Sequence, residues 1–218
     1  MKEAKGRLRY STLFWLFFIG SLAGFLMEGI WRIFTIGHWE NHSAVVWGPF
    51  CIVYGFGAVA MYLVAFFSEK KRLWLQFLIY AAAGMAVEYL ASYFQELFFG
   101  SRSWDYSDDF LNINGRVSAG MGGIWGLCGL AFVKLLYPLL KRIDEHLHGG
   151  VFARVSCIVL SVFMAANLLV TSAAILRWKN RLEGQPPKYA VGRYLDRHYD
   201  NGKMSEIFNN MVFGEPEE

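Results

Sequence analysis

The sequence predicts an all-α, polytopic membrane helical bundle of about five transmembrane helices, followed by a polar C-terminal tail. Three observations predict it. The 218 residues are 55% hydrophobic and only 18% charged, against roughly 25% charge in an ordinary soluble domain. Five stretches reach the ~20 apolar residues that a helix needs to cross a bilayer. None of them alternates with period two, which excludes a β-barrel and leaves helices, whose backbone groups satisfy one another in lipid.

The five spans run over 12–36, 45–67, 73–99, 117–140 and 151–176. Before the first, Lys2, Lys5, Arg7 and Arg9 form a basic cluster. Ser21-Leu22-Ala23 has the look of a signal-peptide cleavage site, but the apolar run continues past it and four more spans follow, so the start reads as a cytoplasmic anchor. Lys70, Lys71, Arg72, Lys141, Arg142 and Arg154 then fall on the same side, while the opposite connections, 37–44 and 100–116, carry only Arg102 and Arg116 against Asp105, Asp108 and Asp109. That is the positive-inside pattern with the N-terminus inside. Five spans place the tail outside, although Arg177, Lys179 and Arg181 directly behind the last span argue for the inside. The short loops outweigh the tail. The segment that would fail to cross, if one does, is the second, which opens on Gly48-Pro49.

The chain therefore divides into a bundle, 1–176, and a tail, 177–218, with short amphipathic helices expected over 191–199 and 204–211 and a frayed Glu-Pro-Glu-Glu end. A net charge of +3 without a basic patch excludes nucleic acid as a natural partner. Cys51, Cys128 and Cys157 all lie in apolar stretches, without CxxC spacing, and read as small buried hydrophobes. No GxxxxGK[ST] occurs, so the chain does not hydrolyse ATP by the P-loop route, and no cofactor is expected.

Charged side chains inside spans are costly and point to function by default. Glu28 sits late in the first span with Arg32 one turn on, a spacing that suits an ion pair on one helix face. In the third span Glu88, Ser92, Gln95 and Glu96 form a polar stripe that must face the bundle interior or a water-filled cavity. Arg116 or Arg102 is placed to neutralise Glu96. Glu88 has no basic residue within a turn, so it either finds a partner across the bundle or carries a proton. The same carboxylates serve equally well in a purely structural ion-pair network, so both readings stand.

Around this stripe lie three further features. The loop 100–116 supplies Trp104, Asp105, Tyr106, Asn114 and Arg116 as a roof; Asn114-Gly115 marks a tight turn, and Asp105 either caps a turn or pairs with Arg116. Gly48 and Pro49 break or begin a helix, and Tyr54, Gly55 and Gly57 follow, the glycines allowing close approach of a neighbouring backbone. Gly122 and Gly126 make a GxxxG pair, a helix-packing signal. His38 and His42 flank Glu40 at a spacing that zinc sites use, but the pattern is weak; no metal is assigned, and 37–42 is read as an interfacial loop with Trp39 and Trp47 in an aromatic belt.

Four blocks together carry a resemblance: Gly24 to Arg32; Gly48-Pro49-Phe50-Cys51 leading to Tyr54-Gly55-Phe56-Gly57-Ala58; Glu88-Tyr89 with Glu96 and Trp104-Asp105-Tyr106-Ser107; and Asn112 to Arg116 before Trp125-Gly126. In these the chain resembles the bacterial membrane proteins of the Putative ABC-transporter type IV family, also described as ABC transporter permeases. Two departures stand out: Ile52 where the family tends to have proline, and Asn167 where it tends to have an acid. The resemblance implies a permease-like subunit in a bacterial plasma membrane, of unnamed substrate, with a separate ATPase subunit docking on the small inner connections 68–72 and 141–150. A homo-oligomer is also compatible with it. Two other functions compete. One is a membrane-embedded enzyme acting on a lipid or cell-wall precursor, with Glu88 or Glu96 as general base and Arg32 and Arg116 as anion binders. The other is a non-catalytic interaction or regulatory protein.

Overall fold

The computed structural model describes residues 8–147 and 150–214. Lys2, Lys5 and Arg7 of the basic cluster, residues 148–149 of the second inner connection and the Glu-Pro-Glu-Glu end lie outside them. Eight α-helical segments dominate the described residues: α1 (Tyr10–Ile36), α2 (Ile52–Ser68), α3 (Leu73–Phe99), α4 (Ala119–Ala131), α5 (Tyr137–Leu147), α6 (Val151–Leu182), α7 (Ala190–His198) and α8 (Asn201–Ile207). A π-helical turn, Phe132–Leu136, joins α4 to α5 without a break. The two-residue strands β1 (Ser101–Arg102) and β2 (Val212–Phe213) pair antiparallel. The protein is an all-α membrane bundle.

Four helices are long and apolar enough to cross a bilayer: Tyr10–Ile36, Leu73–Phe99, Ala119–Arg142 and Val151–Leu182. The expected second span is shorter than the sequence pattern suggests. Its helix, α2, has 17 residues and begins only at Ile52. Gly48 takes φ +84°, and Pro49 has no N–H to give to a helix, so the chain stays irregular up to Cys51. There the Cys51 N–H bonds the carbonyl of Ser21 at 2.9 Å, near the middle of α1.

Irregular backbone at that depth needs partners inside the protein, and α6 supplies them. Asn167, fully buried, accepts from Trp47 N–H at 3.1 Å and donates to Trp47 C=O at 2.7 Å. Thr171, one turn on, accepts from Val46 N–H at 3.0 Å. The Ser43 hydroxyl lies 2.9 Å from the Val45 carbonyl and 2.8 Å from that of Gly48. Phe50 fills the remaining space between Phe18 of α1 and Phe163 of α6.

Small residues set the helix spacing. A Cβ on Gly24 would collide with Tyr54, and one on Gly55 with Ser21 and Phe17, so α1 and α2 meet almost backbone to backbone. On α4, Gly122, Gly126 and Gly129 lie against Met85, Phe77 and Tyr80 of α3. The GxxxG pair is thus the middle of a longer small-residue seam.

The last span continues past residue 176 to Leu182. Arg177 holds both Asp196 oxygens, at 2.7 and 3.0 Å, and Arg181 reaches Asp196 at 2.6 Å. Hydrogen bonds from Arg177 and Arg181 keep the Asp196 carboxyl below the usual carboxylate range. Both arginines are therefore held on one carboxylate of the tail. Helices α7 and α8 fold back so that Leu195, Tyr199, Met204 and Phe208 pack on Ala174, Ile175 and Trp178. Asp200 caps α8 through Lys203 N–H at 2.8 Å, which starts that helix three residues earlier than expected. Trp47 donates to the Tyr199 hydroxyl at 2.7 Å, and β2 pairs with β1. The tail lies at the same end of the bundle as the connections 37–51 and 103–118.

Asn167→Leu leaves the Trp47 N–H and C=O without partners, at about 1–3 kcal/mol for each buried group. The expected result is a lowered thermal unfolding midpoint in detergent and faster maleimide labelling of Cys51, located by mass spectrometry. Unchanged labelling would contradict the role given to Asn167.

Candidate functional site

The polar stripe of α3 meets the connection 103–118, which folds over it. Gly100 ends α3 with φ +62°, and the chain turns back along the helix. Asn114 (φ +54°) and Gly115 (φ +65°) form the tight turn, which returns Gly115 C=O to Tyr106 N–H at 2.7 Å. Left-handed conformations at two successive residues suit Asn-Gly. Asp105 Oδ1 accepts from Ser107 N–H at 2.9 Å and from the Ser107 hydroxyl at 2.6 Å. The Ser107 hydroxyl bond holds the Asp105 carboxyl below its usual range. Asp105 therefore caps a turn and makes no pair with Arg116.

Glu88 is buried, 5% exposed, and both its oxygens are bonded. The Tyr106 hydroxyl donates to Oε1 at 2.9 Å, and Trp125 Nε1 donates to Oε2 at 3.1 Å. The cross-bundle partners of Glu88 are thus a phenol from the loop and an indole from α4. Burial first, and then the charge of Glu88, push the Tyr106 hydroxyl above its ordinary range, so it stays a neutral donor. The Trp125 ring is positioned by missing side chains: a Cβ on Gly84 or Gly57 would run into it.

Glu28 does not pair with Arg32. It accepts from the Tyr54 hydroxyl, which reaches it across the α1–α2 contact. Arg32 points toward the chain end of α1, where Nε lies 2.9 Å from Glu40 Oε2 and 3.1 Å from His42 Nε2. Charges near the membrane edge are cheaper to hold than charges deep in a span, which explains the choice. Glu40 also faces His38 at 3.8 Å and His42 at 3.5 Å. The Arg32 guanidinium therefore sits among the groups considered for zinc, and among the described residues no three His, Cys, Asp or Glu side chains converge as a metal requires.

A second cluster closes the C-terminal end of the stripe. Arg116, 8% exposed, places NH2 2.6 Å from Glu96 and donates from NH1 to Ser92 at 3.2 Å. Its guanidinium lies near the Tyr89 and Tyr93 rings, 5.7 and 5.8 Å from their centroids. Arg102 bonds Glu96 at 2.9 Å, so both expected arginines share that carboxylate. Gln95 donates to Ser103 at 2.8 Å, Trp104 Nε1 to Arg116 C=O at 3.0 Å, and Asn114 to the Tyr89 hydroxyl at 2.9 Å.

The structure brings the α3 stripe and the loop together, as the sequence reading grouped them. That reading passed over Trp125 and Tyr54 as carboxylate partners, noted Asn167 only as a departure from the family pattern, and missed Thr171. The last two carried a signal: two polar residues one helical turn apart in the most apolar span. Chemically, the centre of the site is a buried carboxylate, Glu88, whose two oxygens each accept from a neutral donor.

The family model described as Putative ABC-transporter type IV matches residues 15–172, most of the chain, including Glu28, Glu88 and Glu96. No match was found among curated proteins, and none among solved structures.

Gly84→Ala pushes a methyl group into Trp125 and so disturbs its bond to Glu88. Overpacking of this kind costs about 1–3 kcal/mol. Gly123 has open space at its Cβ position. A thermal unfolding midpoint lowered in Gly84→Ala and not lowered in Gly123→Ala is expected; equal midpoints would show that Trp125 does not need the Gly84 notch.

Proposed function

The chain belongs to the Putative ABC-transporter type IV family, and on that premise we propose that it is a transport-type membrane subunit whose working site is the Glu88 cluster. The observation that carries this reading is a buried carboxylate inside a span, bonded on both oxygens by Tyr106 and Trp125. Glu28, which accepts from the Tyr54 hydroxyl, is a second carboxylate held by a phenol inside the bundle. A pair of acids held among neutral donors is hard to account for as packing, since apolar residues of similar volume fill such space at least as stably. Ser92, Gln95, Glu96 and Arg116 form the outer wall of the site, and Trp104, Asp105, Tyr106 and Asn114 its roof.

In this reading the protein lies in the bacterial plasma membrane with its N-terminus in the cytoplasm, following the basic residues of the short connections. The tail and the roof then face outward. The cytoplasmic end presents the α2–α3 turn, where Glu69 accepts from Lys141 Nζ at 2.5 Å. That bond joins the two inner connections into one surface, and a separate ATPase subunit would dock there.

The test is purification of the tagged wild type and Glu88→Gln in mild detergent, with mass spectrometry of companions and assay of ATP hydrolysis. The expected result is an ATPase that accompanies both proteins, with turnover reduced at least tenfold in Glu88→Gln. Absence of an ATPase from the wild type would remove the subunit reading.

A further inference from the structure

We propose that a cavity between the C-terminal ends of α3 and α6 binds the headgroup of phosphatidylethanolamine, with Lys179 taking the phosphate and Glu183 the ammonium. The proposal needs neither an ATPase partner nor a transported solute.

The cavity measures about 470 Å³ and is lined by Glu96, Gly100, Lys179, Glu183, Phe213 and Gly214. Its depth follows from the spans. Gly100 directly follows α3, and Lys179 lies in the last turn of α6. Both helices are long and apolar enough to cross the bilayer, so the cavity opens where lipid headgroups begin. Gly100 leaves room that a side chain would close, since a Cβ there would come within 2.5 Å of Lys179 Nζ. The Gly214 N–H bonds Gly100 C=O at 3.2 Å, which fixes β2 and its Phe213 as the far wall.

The charges carry the argument. Lys179 and Glu183 are one helical turn apart, about 5–6 Å between Cβ atoms, yet they do not pair. Lysine before glutamate is the weaker order for such a pair. Glu183 accepts from Gln185 Nε2 at 2.9 Å instead, and among the described residues Lys179 Nζ makes no hydrogen bond or ion pair. Glu96 is no partner for it either, because Arg102 and Arg116 both hold that carboxylate. The cavity thus presents an open ammonium and, one turn on, a carboxylate with lone pairs to spare. A ligand that answers both has an anionic oxygen group and an N–H cation joined by a short linker, as phosphoethanolamine has across two carbons. The same chemistry discriminates among phospholipids. A glycerol headgroup brings no cation to Glu183, and the trimethylammonium of choline has no N–H to donate.

A lipid, as opposed to a soluble zwitterion, is indicated by what lies below the cavity. Gly100 meets Lys179, and Phe99 packs on the cluster around Trp178, which sets α3 and α6 in register as parallel neighbours. Leu97 and Leu176, three residues back on each helix, therefore share one depth, and Leu90 and Leu169 share another two turns deeper. All four are exposed. From Lys179 back to Leu169 is about 15 Å of helix, half the hydrocarbon core and the reach of an acyl chain in one leaflet.

The test is native mass spectrometry of the whole chain, delipidated in detergent and given equal amounts of phosphatidylethanolamine, phosphatidylglycerol and phosphatidylcholine with identical palmitoyl-oleoyl chains. The wild type is expected to retain phosphatidylethanolamine at least threefold over either of the others. Lys179→Met is expected to reduce that retention at least threefold, and Lys179→Arg, which keeps the charge, to preserve it. Glu183→Gln is expected to remove the preference for ethanolamine over choline, and Lys188→Met, at an exposed position of the tail, to change nothing. Equal retention of the three lipids by the wild type, or a preference that survives both Lys179→Met and Glu183→Gln, overturns the proposal. Phosphoethanolamine without chains separates the two sources of this chemistry. It is expected to bind at least tenfold more weakly than the lipid; binding as tight as the lipid's would reassign the cavity to a soluble zwitterion and overturn the lipid assignment.

Discussion

The carboxylate of Glu88 and its two donors are the constraint on which the rest of the bundle depends. A charge in the middle of a span is tolerated only where it is bonded, and here each oxygen is bonded by a different part of the chain. Tyr106 brings the connecting loop down onto α3, and Trp125 fixes the rotation of α4. Removing either donor would leave a buried charge partly unsatisfied. Two glycines follow from this: Trp125 reaches Glu88 only because Gly84 of α3 and Gly57 of α2 leave its ring a place to lie. The outer cluster follows too, because a loop held by Tyr106 carries Arg116 to Ser92 and Glu96.

A second constraint acts at the start of α2. Gly48 and Pro49 forbid helix where the sequence is apolar enough to cross, and the freed backbone groups of 46–47 must be satisfied within the protein. Asn167 and Thr171 do so from α6. The Asn167 amide suits both groups, accepting from Trp47 N–H and donating to Trp47 C=O, which an ionised carboxylate could not do. The tail repeats the principle with charge: Asp196 holds both Arg177 and Arg181 at the end of the bundle shared with the connections 37–51 and 103–118.

Much of this was legible in the sequence. Apolar length gave the bundle, and helical spacing gave the stripe of Glu88, Ser92, Gln95 and Glu96, because one helix obeys one periodicity whatever surrounds it. Asn114-Gly115 gave its turn because the left-handed backbone is local. Partner choice was less legible. The spacing of Glu28 and Arg32 suits a pair on an isolated helix, yet Tyr54 lies across Gly24 from Glu28, and Glu40 competes for Arg32 from the following loop. Such competition is decided by tertiary distance, which spacing along one helix does not contain. The shortening of α2 was hinted at by Gly48-Pro49, but its extent depended on where α6 placed Asn167.

The most direct test of the account is the coupling between Glu88 and Tyr106. A double-mutant cycle with Glu88→Ala and Tyr106→Phe, read by reversible unfolding in detergent, isolates the energy of that bond. The account predicts a coupling of about 1.5–3 kcal/mol, the range for a hydrogen bond to a charged group. Additive effects within about 0.3–0.5 kcal/mol would show that the two residues act independently and that the loop is held by something else.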